Sequence, residues 1–397
     1  MTYGKYPSRF WVLCAGSFFF FGSFNMVVPE LPSVLEKLGG GEHKGLIISL
    51  FTLTAMLSRP FSGRLSDTIG RVPVMIFGAL VCVVCSIIYP FTASVNGFLL
   101  LRFFHGFSTG FSPTGFTSYA ADIIPPNRRG EAMGLLSVFG TLGMAGSPAI
   151  GDWLARTWSL DVMFYGSAVF ALIAVMIYVS TTETLFRRQR FRWSHFKIGL
   201  TDVYDPLVLV PGIVMLLTSF SYGSMLTLVP DLSDALGIGN KGLIFMIFST
   251  ASLLIRIVAG TISDRFGRPV VLKISAALIA IAMVVTGSAN APWMLWLGGV
   301  LYGLANGMNS PTLFAWATDL GNPKSKGRAF ATLYIAMEFG IGLGALASGY
   351  IFADDRSNFL MAFLVGSVLS FLALIFLYMS TEGKALKGNF NNQPVTD

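Results

Sequence analysis

The chain has 397 residues, of which 54% are hydrophobic and 12% charged, and it carries a formal net charge of +7. An ordinary soluble domain has about twice that share of charged residues, so composition argues against water as the main solvent. The positive balance does not point to nucleic acid, because Lys and Arg are spread over short polar breaks instead of forming one basic surface.

From the N-terminus, the first apolar run, Phe10 to Val28, has the length of a signal peptide. It lacks a small-x-small cleavage site and continues into Pro29-Glu30-Leu31-Pro32, so it reads as a first membrane span. Apolar stretches of about 20 residues then recur along the chain. They predict twelve spans near 10–31, 45–65, 72–92, 97–121, 130–151, 162–181, 207–229, 242–262, 270–289, 293–317, 328–350 and 359–380. The implied organisation is a six-helix half over 1–182, a cytoplasmic central loop over 183–206, a second six-helix half over 207–380 and a cytoplasmic tail over 381–397. The loop mixes arginines with Phe191, Trp193 and Phe196, which suits either an interfacial helix or a solvated linker. Placing both termini in the cytoplasm puts nineteen Lys and Arg residues on inner segments and five on outer ones, as the positive-inside rule requires. Cys14, Cys82 and Cys85 all lie in apolar runs and read as buried thiols.

The halves repeat each other at an offset of 197 residues. Arg59, Gly63, Asp67, Gly70 and Arg71 recur as Arg256, Gly260, Asp264, Gly267 and Arg268. Lys44-Gly-Leu-Ile recurs from Lys241, while Gly106, Gly110, Asp122 and Gly130 recur as Gly303, Gly307, Asp319 and Gly327. Pro29-Glu30-Leu31 matches Pro230-Asp231-Leu232 once a shorter loop is allowed for. A parallel repeat of this kind has its pseudo-twofold axis along the membrane normal.

Two six-helix halves with GRLSDTIGR after the second span resemble the major facilitator superfamily over essentially the whole chain. Its loop motif is filled by Gly63, Leu65, Asp67, Gly70 and Arg71, with Thr68 in place of the usual basic residue, which the second copy restores as Arg265. RFFHGFSTG from Arg102, and the fifth-span run holding Gly143, Gly146, Pro148 and Gly151, resemble motifs of the twelve-helix drug:proton antiporter branch; Ser147 departs from that branch's usual Gly-Pro. The resemblance implies an all-α integral membrane protein of twelve helices in two parallel repeats. Gly63 and Gly70 are expected to allow close helix contact and a tight turn. Asp67, Arg71, Asp122 and Arg129, with Asp264, Arg268 and Asp319 in the second half, are expected to latch the cytoplasmic face when the carrier is open outward and to release when it is open inward. The fifth-span glycines are expected to pack at the interface between halves, either as ordinary small-residue packing or as an antiport element.

Polar groups present in one half only are candidates for substrate or proton work. Arg102 corresponds to Gly299, His105 to Tyr302 and Glu338 to Thr141. A charge inside a span costs about 3 kcal/mol on insertion scales, so it faces a cavity or a partner. Arg102 is read as facing a central cavity or snorkelling outward, and His105 as titrating or structural. Glu338, about 15 Å into the bilayer at 1.5 Å per residue, is read as a proton carrier, as an attractor of a cationic substrate when ionised, or as half of a buried ion pair. Asn25, Asn306, Asn309 and Tyr334 are candidate lining residues, and the duplicated Arg59 and Arg256 are read as gate residues.

The sequence therefore predicts a monomeric, multi-pass inner-membrane secondary transporter. It would export a small organic molecule against protons, with lipid as its surroundings and no nucleic-acid partner. A proton-coupled or facilitative importer is the alternative, and a membrane sensor or membrane enzyme a more distant one. No nucleotide-binding motif, nucleophile–base set or metal-ligand cluster stands out, so neither an enzymatic activity nor a cofactor or metal is expected.

Overall fold

The computed structural model describes residues 6–124, 129–186, 188–192, 205–320 and 326–390. Trp193 and Phe196 of the central loop, residues 391–397, and the side chains of Arg129 and Asp264 lie outside the described residues. The helices are α1 (Ser8–Val27), α2 (Leu31–Lys37), α3 (Lys44–Thr68), α4 (Arg71–Ile88), α5 (Val95–His105), α6 (Phe107–Ile123), α7 (Arg129–Thr157) and α8 (Leu160–Ser180). After the central segment come α9 (Leu209–Ala235), α10 (Gly242–Phe266), α11 (Arg268–Gly287), α12 (Pro292–Leu320), α13 (Lys326–Phe352) and α14 (Phe359–Phe390). Strands are absent among the described residues. In lipid the backbone satisfies its hydrogen bonds within each segment, and helices do this one by one.

Among the described residues, nine helical stretches are long and apolar enough to cross a membrane. The α5–α6 pair, α10 and α12 complete six long segments on each side of the central loop, with α5–α6 taken as one broken segment. Two expected spans are divided. Pro29 and Pro32 lack a backbone donor, and the first span passes through a 3-10 turn at Val28–Glu30 into the short α2. The fourth breaks at Gly106, where a Cβ would collide with the Phe51 carbonyl of α3.

That collision is duplicated. Gly303 of α12 meets the Phe248 carbonyl of α10 in the same way, and Phe248 lies 197 residues after Phe51. The pair Gly110 and Gly307 repeats the pattern, facing Ala55 and its counterpart Ser252. The repeated glycines are thus sites where α3 and α10 approach the fourth segment of their own half too closely for a side chain. Buried hydroxyls add cross-helix bonds: Ser86 Oγ lies 2.9 Å from Ser167 Oγ, which donates to the Ser23 carbonyl at 2.8 Å. Such bonds are worth about 0.6 kcal/mol each in a membrane. The outer surface of the helices is apolar, with Leu57, Phe77, Val84, Met176 and Ile281 exposed, as a lipid-facing belt requires.

Candidate transport site

Four helices join the two sets of six: α3 packs on α13, and α7 on α10. Their approach is set by glycine. A Cβ at Gly45 of α3 would meet the carbonyl of Ala345 on α13, and one at Gly242 of α10 would collide with Pro148 of α7. Both positions repeat at the offset of 197: Gly45 with Gly242, and Pro148 with Ala345. The same two contacts carry polar groups deeper along each helix pair.

On α3 and α13, Arg59 Nη2 donates to Glu338 Oε1 at 2.9 Å, and both residues are buried. The Arg59 guanidinium also lies 4.1 Å from the Tyr334 ring centroid, and that ring packs against Phe314. On α7 and α10 the equivalent arginine, Arg256, donates to Ser137 Oγ at 2.9 Å and Thr141 Oγ1 at 3.3 Å. Thr141 is the counterpart of Glu338. One half-to-half contact therefore holds a full ion pair, and its pseudo-symmetric twin holds an arginine on hydroxyls. The Nε of each arginine is buried without a hydrogen-bond partner, leaving one donor at each contact available to a ligand.

The other sequence candidates separate from this centre. Arg102 is 2% exposed, but it faces inward to its own half. Its Nε donates to the Ile47 carbonyl at 3.0 Å, its Nη1 to Tyr89 Oη at 3.3 Å, and its guanidinium covers the Phe51 ring. His105 completes this cluster, with Nδ1 3.2 Å from Tyr89 Oη and Nε2 3.4 Å from Cys82 Sγ. The central-cavity placement of Arg102 is thus corrected: the chain break at Gly106 lets α5 press against α3, and the guanidinium is consumed in that contact. Asn309 bridges α12 to α9 and α11, donating to Thr218 Oγ1 at 2.8 Å and accepting from Ser275 Oγ at 3.1 Å. Asn25 bonds the Phe21 carbonyl of its own helix at 2.8 Å, and Asn306 is half-buried.

The loop-motif residues lie at the basic end of the bundle. Arg71 pairs with Asp67, and its Nε donates to Asp122 at 3.1 Å; Arg268 Nε donates likewise to Asp319 at 3.0 Å. These bonds lie within each half. Gly70 has φ 129°, a region that favours glycine, and makes the turn into α4. Glu183, which sequence reasoning missed, accepts from the backbone N–H groups of Arg71 and Val72 at 3.0 Å each and so caps α4. Two expectations are corrected here. A Cβ at Gly63 or at Gly146 would have nothing within 4 Å, so neither glycine permits a close contact. Gly140, Gly143 and Gly151 face Phe21, Phe18 and Met26 of α1 in the same half, and of the fifth-span motif it is Pro148 that reaches the other half.

At the opposite end, two lysines tie the halves together. Lys44 pairs with Asp231 at 3.0 Å, Asp354 at 2.7 Å and Glu36 at 3.5 Å. Lys241 pairs with Asp234 at 2.7 Å, donates to Ser33 Oγ at 2.7 Å and lies 3.8 Å from Glu30. The signal was present in the repeat, since Lys44 and Lys241 are counterparts, as are Glu30 and Asp231. Each lysine faces the acid of the other half, so this end is closed.

A bundle of paired helical repeats, joined by two pseudo-symmetric helix contacts with a buried ion pair at one of them, is the architecture of a membrane carrier. The family model of the Major Facilitator Superfamily matches residues 13–239 and 211–394. The chain belongs to that superfamily. It is 26% identical over 351 residues to the multi-drug resistance efflux pump PmrA of Streptococcus pneumoniae, covering 85% of this chain and 87% of that one. It is 27% identical to the multidrug resistance protein MdtG of Citrobacter koseri, with 89% and 90% covered. The staphylopine export protein of Staphylococcus aureus is 25% identical, with 84% and 86% covered. Among solved structures, a peptide transporter POT in complex with sulfate superposes with a TM-score of 0.80 at 14% identity over 96% of both chains. The human organic anion transporter MFSD10 superposes at 0.73 with 21% identity, covering 94% of this chain and all of that one. These two likenesses concern the fold. The chain is therefore a multi-pass membrane transporter and not an enzyme.

Proposed function

We propose that the protein is a proton-coupled exporter of a small organic molecule, working as a monomer in the inner membrane by rocking of residues 1–182 against 207–380. Three of the curated relatives it matches are named for resistance or export. The basic end, with Arg64, Arg71, Arg188 and Arg268, is assigned to the cytoplasm with both termini, following the excess of positive charge there. The closed end bearing Lys44 and Lys241 is then the outer one, and the state described faces inward.

The observation that carries the coupling is the Arg59–Glu338 pair, set where the halves meet. Proton arrival on the Glu338 carboxylate cancels its charge and frees the Arg59 guanidinium, which stays held over Tyr334. Loss of that proton restores the pair and draws α3 back to α13. Substrate and proton would thus act on one contact between halves, as alternating access around a midplane site requires. In proteoliposomes with an imposed pH gradient, wild-type protein is expected to move substrate uphill against the proton flow. Glu338→Gln keeps size and hydrogen bonding but cannot titrate, so it is expected to lose uphill transport while retaining exchange. Uphill transport in Glu338→Gln with unchanged pH dependence would overturn the assignment, and uptake driven in the direction of the proton flow would make the protein an importer.

A further inference from the structure

The closed outer end holds more acid than base. Around Lys241 stand Glu30 of the turn after α1, Asp152 and Arg156 of α7, and Asp234 of α9. Two cations face three carboxyls. Arg156 Nε donates to Asp152 Oδ2 at 2.8 Å, and the Lys241 backbone N–H donates to Asp152 Oδ1 at 3.2 Å. Both oxygens of Asp152, which is fully buried, therefore accept hydrogen bonds, as a carboxylate does. Lys241 Nζ is taken by Asp234 and Ser33 at 2.7 Å each, and stays 3.8 Å from Glu30.

Glu30 is left over. It is 7% exposed, its buried Oε1 has no hydrogen-bond partner, and Lys241 Nζ, already held by Asp234 and Ser33, stands 3.8 Å away. A carboxylate buried without a hydrogen-bond partner is costly, and burial favours the neutral, protonated acid. Asp152 is fully engaged as acceptor and Asp234 is paired with Lys241, so the carboxyl left for a proton is Glu30. The pseudo-symmetric corner repeats the excess: Lys44 stands among Asp231, Asp354 and Glu36, and the half-buried Asp231 also has an unbonded oxygen, Oδ2.

We propose that Glu30 is a second proton-binding site, distinct from the Glu338 contact, which takes up one proton from the outer water whenever the outer face closes. Hydronium gives its proton to the Glu30 carboxylate as α7 and the α9–α10 turn close over it, leaving water and a neutral acid. When the halves part, Glu30 is rehydrated and returns the proton to the outside. External acid then favours the inward-facing state, so the proton gradient acts on the resetting of the carrier as well as on substrate exchange. This rests on the orientation proposed above.

The test needs neither substrate nor gradient. Spin labels on Lys37→Cys and Gly239→Cys, both exposed on opposite halves of the outer end, report the distance across that end in purified protein from pH 5 to pH 8. The wild-type cysteines are buried. In the otherwise wild-type protein the ratio of short to long distances should rise on acidification, with a slope approaching about tenfold per pH unit for one linked proton. Glu30→Gln, a permanent mimic of the protonated acid, should hold the short distance across the range. Glu30→Asp, which can still titrate, should restore a sloping response. A slope in Glu30→Gln equal to that of wild type, or no pH response in wild type, would overturn the proposal. Failure of uphill transport with this gating response intact would instead count against the exporter reading alone.

Discussion

At the scale of single residues, burial separates charges that the sequence could only rank together. Arg59 and Arg102 are both buried arginines on adjacent segments of the first half. Arg59 reaches a carboxylate across the boundary between halves, whereas Arg102 is spent on a carbonyl, a phenol and a ring within one half. Their substitution should therefore separate activity from stability. Arg59→Gln is expected to abolish coupled transport, and because it leaves Glu338 buried without its cation, it should also cost on the order of 3 kcal/mol. Arg102→Ala should lower thermal stability by about 2 kcal/mol through lost packing and hydrogen bonds, with substrate affinity in the surviving fold unchanged. Thermal melts in detergent alongside substrate binding check both. Loss of affinity in a stable Arg102→Ala protein would return that residue to the transport site.

At the scale of helices, glycine content alone did not say which glycines matter. The repeat marks Gly63, Gly106 and Gly303 equally, but only the latter two stand against a neighbouring backbone carbonyl. Backbone cannot yield as a side-chain tip can, so Gly106→Ala and Gly303→Ala should each force the α3–α5 or α10–α12 contact apart and reduce folded yield and melting temperature. Gly63→Ala should be neutral or stabilising by up to about 1 kcal/mol, because alanine favours helix over glycine and here meets open space. Melting curves of the three variants decide this. The α4 cap is a second case: Glu183→Ala removes two acceptors from the first turn of the helix and should cost about 1 kcal/mol.

At the scale of the whole molecule, the closed end is held by two lysines, each facing acids of the opposite half, while the loop-motif arginines bond within their halves. The conformational balance should respond accordingly. Lys44→Gln combined with Lys241→Gln removes the cations and leaves the acids to repel one another, which should shift labels on Lys37→Cys and Gly239→Cys toward the longer separation at neutral pH. An unchanged distance distribution would mean that the glycine contacts at Gly45 and Gly242, and not the ion pairs, keep this end shut.

The sequence by itself determined the solvent, the helical class and the duplicated plan. Length and apolar content set the spans, and matching charges at a constant offset can arise only if two segments face equivalent surroundings. It also marked Glu338 as a charge needing a partner, and Asp67, Arg71 and Asp122 with their second-half counterparts as one set of charges. Tertiary structure alone decided who that partner is, because Arg59 and Glu338 are 279 positions apart and periodicity fixes a face of a helix but not what lies opposite. It likewise withdrew Arg102, His105 and Asn309 from the transport centre and brought in Glu30, Asp152, Lys44 and Lys241. Each of these depends on which helices touch and how closely, a distance set by the absence of side chains at Gly45, Gly106 and Gly242, and packing of that kind is a property of pairs of surfaces that no single stretch of chain contains.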